Sequence, residues 1–172
     1  TACRFNVSAR SPLTGILGDA NAGGHFSAEM KRAGYDHIVF TGQAAKPVYL
    51  WINNDQVEVR PAAHLWGETT SATDDEIHRE PGDPLLKVAA IGPGGENRAK
   101  CACVMFEKCH AAGRTGMGAV MGSKNLKAVA VRGTKGVKVA HPEAFMKLAK
   151  SLQQRIISNP VYKGLAYYGT PY

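Results

Sequence analysis

The chain has 172 residues, of which 44% are hydrophobic and 20% are charged. This ordinary globular composition excludes a fully disordered chain, and the length suits one domain, or one domain and the start of another. Its apolar runs, such as residues 48–52, are far shorter than a membrane span, so we expect no membrane partner. The net charge of +7 favours an anionic partner such as nucleic acid, phosphate or an acidic protein, or reflects a solvated basic surface.

Both ends of the chain are interpreted as cuts in a longer protein. The first residue is Thr1, and the last is Tyr172, which follows no capped or charged tail. No charged and then apolar leader precedes the first predicted element, so we expect a cytoplasmic protein.

The first part of the chain predicts a strand and a helix on either side of a glycine-rich segment. The elements are a strand over residues 3–10, a turn over 11–15, an irregular loop over 18–24, a helix over 25–33 ended by Gly34, and a buried strand over 37–42.

The rest of the chain predicts more strands, two further turn-rich loops and a long terminal helix. The elements are a hairpin over residues 47–52 and 56–60, a helix over 73–79, a strand over 87–91, a loop over 92–97, a strand over 100–106, a glycine-rich loop over 110–116, a helix over 117–123, a strand over 127–133 and a helix over 142–158 that Asn159-Pro160 stops.

A shift of 91 residues places His25–Gly42 over Gly116–Gly133 with the same order of elements. We therefore predict an α+β fold of two similar β-rich halves with short helices, related by internal duplication. Their two glycine loops would face one shared cleft. The hypothesis fails if the loops lie more than about two helix diameters apart, since one helix is ~10 Å wide.

The glycine loops are typical of sites where backbone N–H groups hold an anion. Each loop leads into a helix, whose free N–H groups would add to the site, and Arg4, Lys108 and Arg114 would add charge. The alternative is that both loops are tight turns between packed elements. Neither loop has a P-loop or dinucleotide-binding pattern.

The cysteines do not predict a metal site. Cys101, Cys103 and Cys109 lack the C-x2-C pair typical of zinc or iron–sulfur ligands. On the predicted strand, Cys101 and Cys103 share a face, which favours small side chains in a core.

Several longer stretches go beyond generic patterns, and together they resemble the N-terminal domain of the aldehyde ferredoxin oxidoreductase family. They are residues 11–15, 21–24, 31–36, 46–49, 91–97 and 111–128. The resemblance covers residues 1–139, as a domain truncated at its N-terminus. Residues 140–172 would be the first helix of the following domain, also truncated.

The resemblance implies a bis-pterin cofactor that holds tungsten, or molybdenum, through its own sulfur atoms. Magnesium would bridge the pterin phosphates and face the backbone carbonyls of Asn21 and Ala111. The implied contacts are Arg4, Asn21, Ala22 and Gly23 for one pterin, and His110, Ala111 and Gly113 for the other. His110 departs from the family pattern, because many relatives have Arg there, and a neutral His cannot form the same forked contact with phosphate.

For the whole enzyme, the resemblance implies oxidation of aldehydes to carboxylic acids, with ferredoxin as electron acceptor. The electrons would pass through a 4Fe-4S cluster, whose ligands, like the acid–base residues, lie outside this chain. We expect a homo-oligomer without a nucleic-acid partner. The alternatives are a same-family enzyme that acts on another substrate, such as an aromatic-ring acyl-CoA reductase, a basic nucleic-acid-binding module, or a nucleotide-binding domain.

Overall fold

A computed structural model describes residues 3–80 and 82–169. The chain divides into two units, the first ending at Gly136 and the second beginning at Val137. The first unit is α+β, with two sheets and short helices, so the predicted α+β class is confirmed, while the internal duplication of two halves stays a prediction.

The first unit begins with a two-stranded antiparallel hairpin that is separate from the main sheet. Its strands are β1 (Phe5–Arg10) and β2 (Leu17–Ala22), and helix α1 (Phe26–Ala33) follows directly. Gly34 ends α1 in the left-handed conformation, as predicted.

The main sheet has six strands in the order β4-β3-β8-β5-β6-β7. The β3–β8 pair is parallel and the other pairs are antiparallel. Its elements, in chain order, are β3 (Val48–Asn53), β4 (Gln56–Pro61), a 3-10 turn (Ala63–Leu65), α2 (Thr70–Arg79), β5 (Lys87–Ala90), α3 (Pro93–Glu96), β6 (Val104–Phe106), β7 (His110–Ala112), α4 (Met117–Ser123) and β8 (Leu126–Arg132).

Two hydrophobic cores lie on opposite faces of this sheet. Alternation along β3 sends Leu50 and Ile52 to one core and Tyr49 and Trp51 to the other. The first core also contains buried residues of β2, α1 and α4, whereas the second contains residues of α2 and the 3-10 turn. The hairpin and the helices after both glycine loops therefore contribute to one core.

Three predictions about local structure are wrong. Residues 37–42 form no strand, because Val39 is 74% exposed and the segment pairs with no strand in the described chain. The supposed irregular loop over 18–24 is largely strand β2, since its small residues Gly18, Ala20 and Ala22 alternate inward. The predicted strand over 100–106 begins only at Val104.

Because β6 begins only at Val104, the cysteines before it are not strand residues. Cys101 precedes the strand and is exposed, and Cys103 is partly exposed, so they are not the paired core side chains that we predicted.

The boundaries of other elements also differ from those predicted. The loops over 92–97 and 110–116 contain helix α3 and strand β7. Helix α2 begins three residues earlier than predicted, because the Thr69 hydroxyl accepts a hydrogen bond from Ala72 N and caps it.

The second unit has two helices, α5 (Pro142–Ile157) and α6 (Pro160–Tyr168). The Asn159 side chain caps α6 by accepting a hydrogen bond from Val161 N. The predicted stripe of α5, which includes Phe145, Leu148, Leu152 and Ile156, is exposed. The predicted boundary between 139 and 140 stays a prediction. No helix in the described part of the chain is long and apolar enough to cross a membrane.

Close contact between backbones joins α3 to α4. A side chain on Gly122 would overlap the carbonyl oxygen of Gly95, so the two short helices pack with no side chain between them. Gly94, on the same helix α3, has open space around it instead.

We therefore expect Gly122→Ala to destabilise the fold by about 2–3 kcal/mol, since neither backbone can yield without moving its helix. Gly94→Ala is the matched control and should be neutral. Thermal unfolding of both variants tests this, and a wild-type melting temperature for Gly122→Ala would contradict the packing argument.

Candidate cofactor site

One wall of the candidate site is the exposed face of the first hairpin. Along β2, Asp19 and Asn21 are exposed, while Gly18, Ala20 and Ala22 are buried. The guanidinium of Arg4 donates to Asn21 Oδ1 at 3.1 Å, and Ser8 Oγ donates to Asp19 Oδ1 at 2.7 Å. Polar groups from both strands are therefore fixed on one surface.

The other wall is the β6–β7 hairpin and the glycine loop that follows it. Residues Phe106 and His110 are paired at the end of this hairpin. Strand β7 lies against β2. At the same junction, a side chain on Gly18 would come within 2.8 Å of Thr115 Cβ, so the walls meet closely at a glycine.

An open pocket of about 530 Å³ lies between these walls. Its lining residues come from both hairpins and are Arg4, Asp19, Ala20, Asn21, Ala111, Gly113 and Arg114. The two glycine segments are also in contact, since a Cβ on Gly23 would lie 3.7 Å from His110 Nδ1. The loops therefore face one cleft, as the sequence predicted.

Four of the seven predicted cofactor residues line this pocket, namely Arg4, Asn21, Ala111 and Gly113. The other three lie beside it. Ala22 turns its side chain into the core, and the ring of His110 packs over the Gly23-Gly24 backbone.

The helix N-termini do not contribute in the predicted way. The carboxylate of Glu107 already accepts hydrogen bonds from His25 N and Phe26 N at the start of α1. In α4, Gly118 N donates to the carbonyl of Ala102. These three N–H groups are satisfied within the protein and are therefore not free to bind an anion.

Lys108 is not a pocket residue either. Its ammonium pairs with Asp75 and lies 3.9 Å from Asp74 on α2. The hydrogen bond to Asp75 raises the pKa of Lys108. Of the three cationic side chains that the sequence singled out, the pocket uses Arg4 and Arg114.

The chemistry of the lining suits a phosphorylated ligand together with a hard cation. Two guanidinium groups can neutralise phosphate charge. The carboxylate of Asp19 and the backbone carbonyls of β2 and β7 are oxygen donors of the kind that magnesium prefers. No cluster of three or more His, Cys, Asp or Glu side chains suited to a metal ion occurs among the residues described.

Sequence reasoning missed Asp19, Ala20 and Glu107. Alternation in the segment 17–22 could have revealed β2 and placed Asp19 beside Asn21 on its exposed face. No local pattern could have revealed Glu107, because its contacts with α1 span more than 80 residues of sequence.

Residues 1–133 match the family model for "Aldehyde ferredoxin oxidoreductase, N-terminal domain". The chain belongs to the aldehyde ferredoxin oxidoreductase family.

The relatives of this family member are oxidoreductases. The chain is 48% identical to the tungsten-containing aldehyde ferredoxin oxidoreductases of Pyrococcus furiosus and Thermococcus kodakarensis, over 99% of its own length and 28% of theirs. It is 38% identical to the WOR-like subunit of an aliphatic sulfonate oxidoreductase from P. furiosus, over 84% of this chain and 25% of that one. The chain thus spans about a quarter of the length of these relatives.

A solved structure shares the fold. In the active-site complex BamBC of benzoyl coenzyme A reductase, bound to 1,5-dienoyl-CoA, one chain superposes with a TM-score of 0.87 and 45% identity. The match covers 91% of the present chain and 24% of that chain.

Asp74 and Asp75 of α2 lie close to Lys108 in the β6–β7 turn, which belongs to the second wall of the pocket. His78 Nδ1 lies 3.2 Å from the carboxylate of Asp74, which is 9% exposed. Burial raises the pKa of Asp74, while the nearby His78 and Lys108 oppose that rise. The folded state therefore holds the proton on Asp74 more tightly than the unfolded chain, whose carboxyl has the usual pKa of 3.8.

This stabilisation is fully present below pH 3.8 and is lost as the pH rises through the raised pKa, because a buried carboxylate must then carry charge. We expect the melting temperature of the wild type to fall relative to Asp74→Asn between about pH 3 and pH 7. Measuring both proteins cancels the contributions of other groups. A constant difference across that range would contradict the prediction.

Proposed function

We propose that this chain is the cofactor-holding part of a tungsten- or molybdenum-pterin oxidoreductase. The observation that carries the proposal is the pocket in which Arg4 and Asn21 of one hairpin meet Ala111, Gly113 and Arg114 of the other. Membership of the family makes a bis-pterin the ligand that we propose for this pocket.

In this proposal the two walls hold one pterin each. Arg4 and the Asn21–Gly23 segment contact the first pterin, and His110, Ala111 and Gly113 contact the second. The backbone carbonyls of Asn21 and Ala111 would hold a magnesium ion, whose charge would offset that of the phosphates. Arg114, which lines the same pocket, adds a second guanidinium to neutralise phosphate charge.

We propose that His110 has a different task from the arginine that the family resemblance implies at this position. Its ring lies against Gly23 and Gly24 of the first glycine segment. In that position it can donate one hydrogen bond to a phosphate, but it cannot form the two parallel bonds of a guanidinium.

The bound cofactor would supply the redox chemistry, with its metal held by dithiolene sulfur atoms. The residues of this chain would provide position and charge neutralisation. Backbone groups of β2 and β7 are suited to that task, because they are fixed by strand pairing on both sides of the pocket.

The whole protein, in our proposal, oxidises aldehydes to carboxylic acids and passes electrons to ferredoxin through a 4Fe-4S cluster. The identity to two aldehyde ferredoxin oxidoreductases supports this reaction. The cluster ligands and acid–base residues would lie in the part beyond the quarter that this chain represents. We further propose a cytoplasmic homo-oligomer, with residues 1–139 as the pterin domain and residues 140–172 as the start of the next.

A same-family reaction on another substrate is the second candidate. The likeness to a chain of a benzoyl-CoA reductase complex, at 45% identity, favours reduction of an aromatic acyl-CoA. We expect the full-length protein to reduce ferredoxin with aldehydes and not to act on benzoyl-CoA. Anoxic assays with both substrates decide between these reactions, and turnover of benzoyl-CoA alone would overturn our choice.

The cofactor assignment can be tested by filling the pocket. A Cβ on Gly113 meets only the Cβ of Ala111, at 3.9 Å, so the protein tolerates the start of a side chain there. We expect Gly113→Val in the full-length protein to lower tungsten, molybdenum and pterin content about tenfold, because its side chain prevents close approach of the ligand to the backbone.

Gly136→Val is the matched control, since Gly136 has open space around it and does not line the pocket. Elemental analysis and pterin assay after anoxic purification give the readout. Wild-type protein without metal or pterin would overturn the proposed function, and full cofactor content in Gly113→Val would overturn the loop assignment.

A further inference from the structure

Glu107 joins the two walls of the candidate pocket. It is the first residue of the turn between β6 and β7, and its side chain is 15% exposed. Its backbone and that of Lys108 are in the left-handed region, with φ of 50° and 63°. Residues other than glycine adopt this region at a cost, so the turn is held by its surroundings.

The carboxylate of Glu107 crosses from the second hairpin to the start of α1. One of its oxygens, Oε1, accepts hydrogen bonds from His25 N at 2.5 Å and from Phe26 N at 2.9 Å. These N–H groups have no partner within the helix, so the carboxylate satisfies them and also complements the helix dipole. Its other oxygen lies 3.8 Å from the ammonium of Lys87 on β5.

Gly24, in the first glycine segment, leaves room for the carboxylate of Glu107. A Cβ on Gly24 would come within 2.7 Å of both Glu107 Oε1 and His110 Cδ2. Any side chain at position 24 would therefore push the carboxylate and the His110 ring away. The φ of +94° at Gly24 also favours glycine, so space and backbone conformation require the same residue.

The hydrogen bonds of Glu107 connect two segments of the chain, each of which carries residues that line the pocket. Going along the chain, Asn21 precedes His25 by four residues, and Ala111 follows Glu107 by four residues. The bonds of Glu107 thus tie together the two short segments that carry the opposing pocket walls. A change of position at Glu107 would change the distance between those walls.

We propose that Glu107 is a positioning residue, which sets the spacing of the two cofactor-binding segments by holding the start of α1 to the β6–β7 turn. The proposal rests on the proposed function of the pocket. In this proposal Glu107 does not contact the cofactor, and its loss would make the protein release the ligand faster.

The test compares Glu107→Ala and Glu107→Gln in the full-length protein, purified under anoxia. The alanine variant loses both acceptor bonds, and we expect it to release pterin and metal about five- to tenfold faster than the wild type. The glutamine variant keeps an amide oxygen for the same two N–H groups, so it should release them at the wild-type rate.

Glu96→Ala is the matched control. The Glu96 carboxylate also accepts a backbone hydrogen bond, from Gly67 N at 2.8 Å, and pairs with a lysine, Lys127. It does not line the pocket. We expect this variant to melt at a lower temperature than the wild type and yet to release cofactor at the wild-type rate.

Release is followed by assaying pterin and metal in the protein after timed dilution into chelator. Rescue by glutamine together with normal release from Glu96→Ala would support the proposal. Wild-type release from Glu107→Ala, or equally fast release from Glu107→Gln or Glu96→Ala, would overturn it. A wild-type protein without pterin or metal would instead overturn the proposed function itself.

Discussion

Close approach between backbones is the constraint on which the first unit depends. A side chain on Gly122 would overlap Gly95 at the α3–α4 contact, and one on Gly133 would overlap the backbone at the end of α1. Such contacts leave no room for adjustment, because interiors are packed as densely as organic crystals. Glycines therefore determine how closely α4 approaches α3 and how closely α1 approaches the end of β8.

The same constraint shapes the pocket. Gly18 lets β2 approach Thr115, and Gly24 makes room for Glu107 and His110. Glycines that look like ligand-binding residues in the sequence thus have two different tasks. Gly113 lines the pocket, whereas Gly24 accommodates a contact between the two walls. In our proposal the cofactor meets a surface that these protein-to-protein contacts have already fixed, which favours binding by preorganisation.

The basic residues also fall into two groups. Lys108, Lys127 and Arg132 are basic residues that pair with acidic side chains inside the unit. Arg4 and Arg114 line the pocket instead. The net charge of the chain therefore does not identify the ligand site by itself, since the distribution of ion pairs decides which cations face the pocket.

The sequence by itself determined the fold class, the helices after the glycine loops and the family, because these follow from local periodicity and from long matching stretches. It did not reveal β2, whose pattern is carried by Gly18, Ala20 and Ala22, residues too small to give a strong hydrophobic signal. It also predicted a strand at Val39 and Phe40, although a run of apolar residues does not specify whether a partner strand lies beside it. The tertiary structure decided where the helix N–H groups and the charge of Lys108 are used, because Glu107 and Asp75 are brought to them from distant parts of the chain.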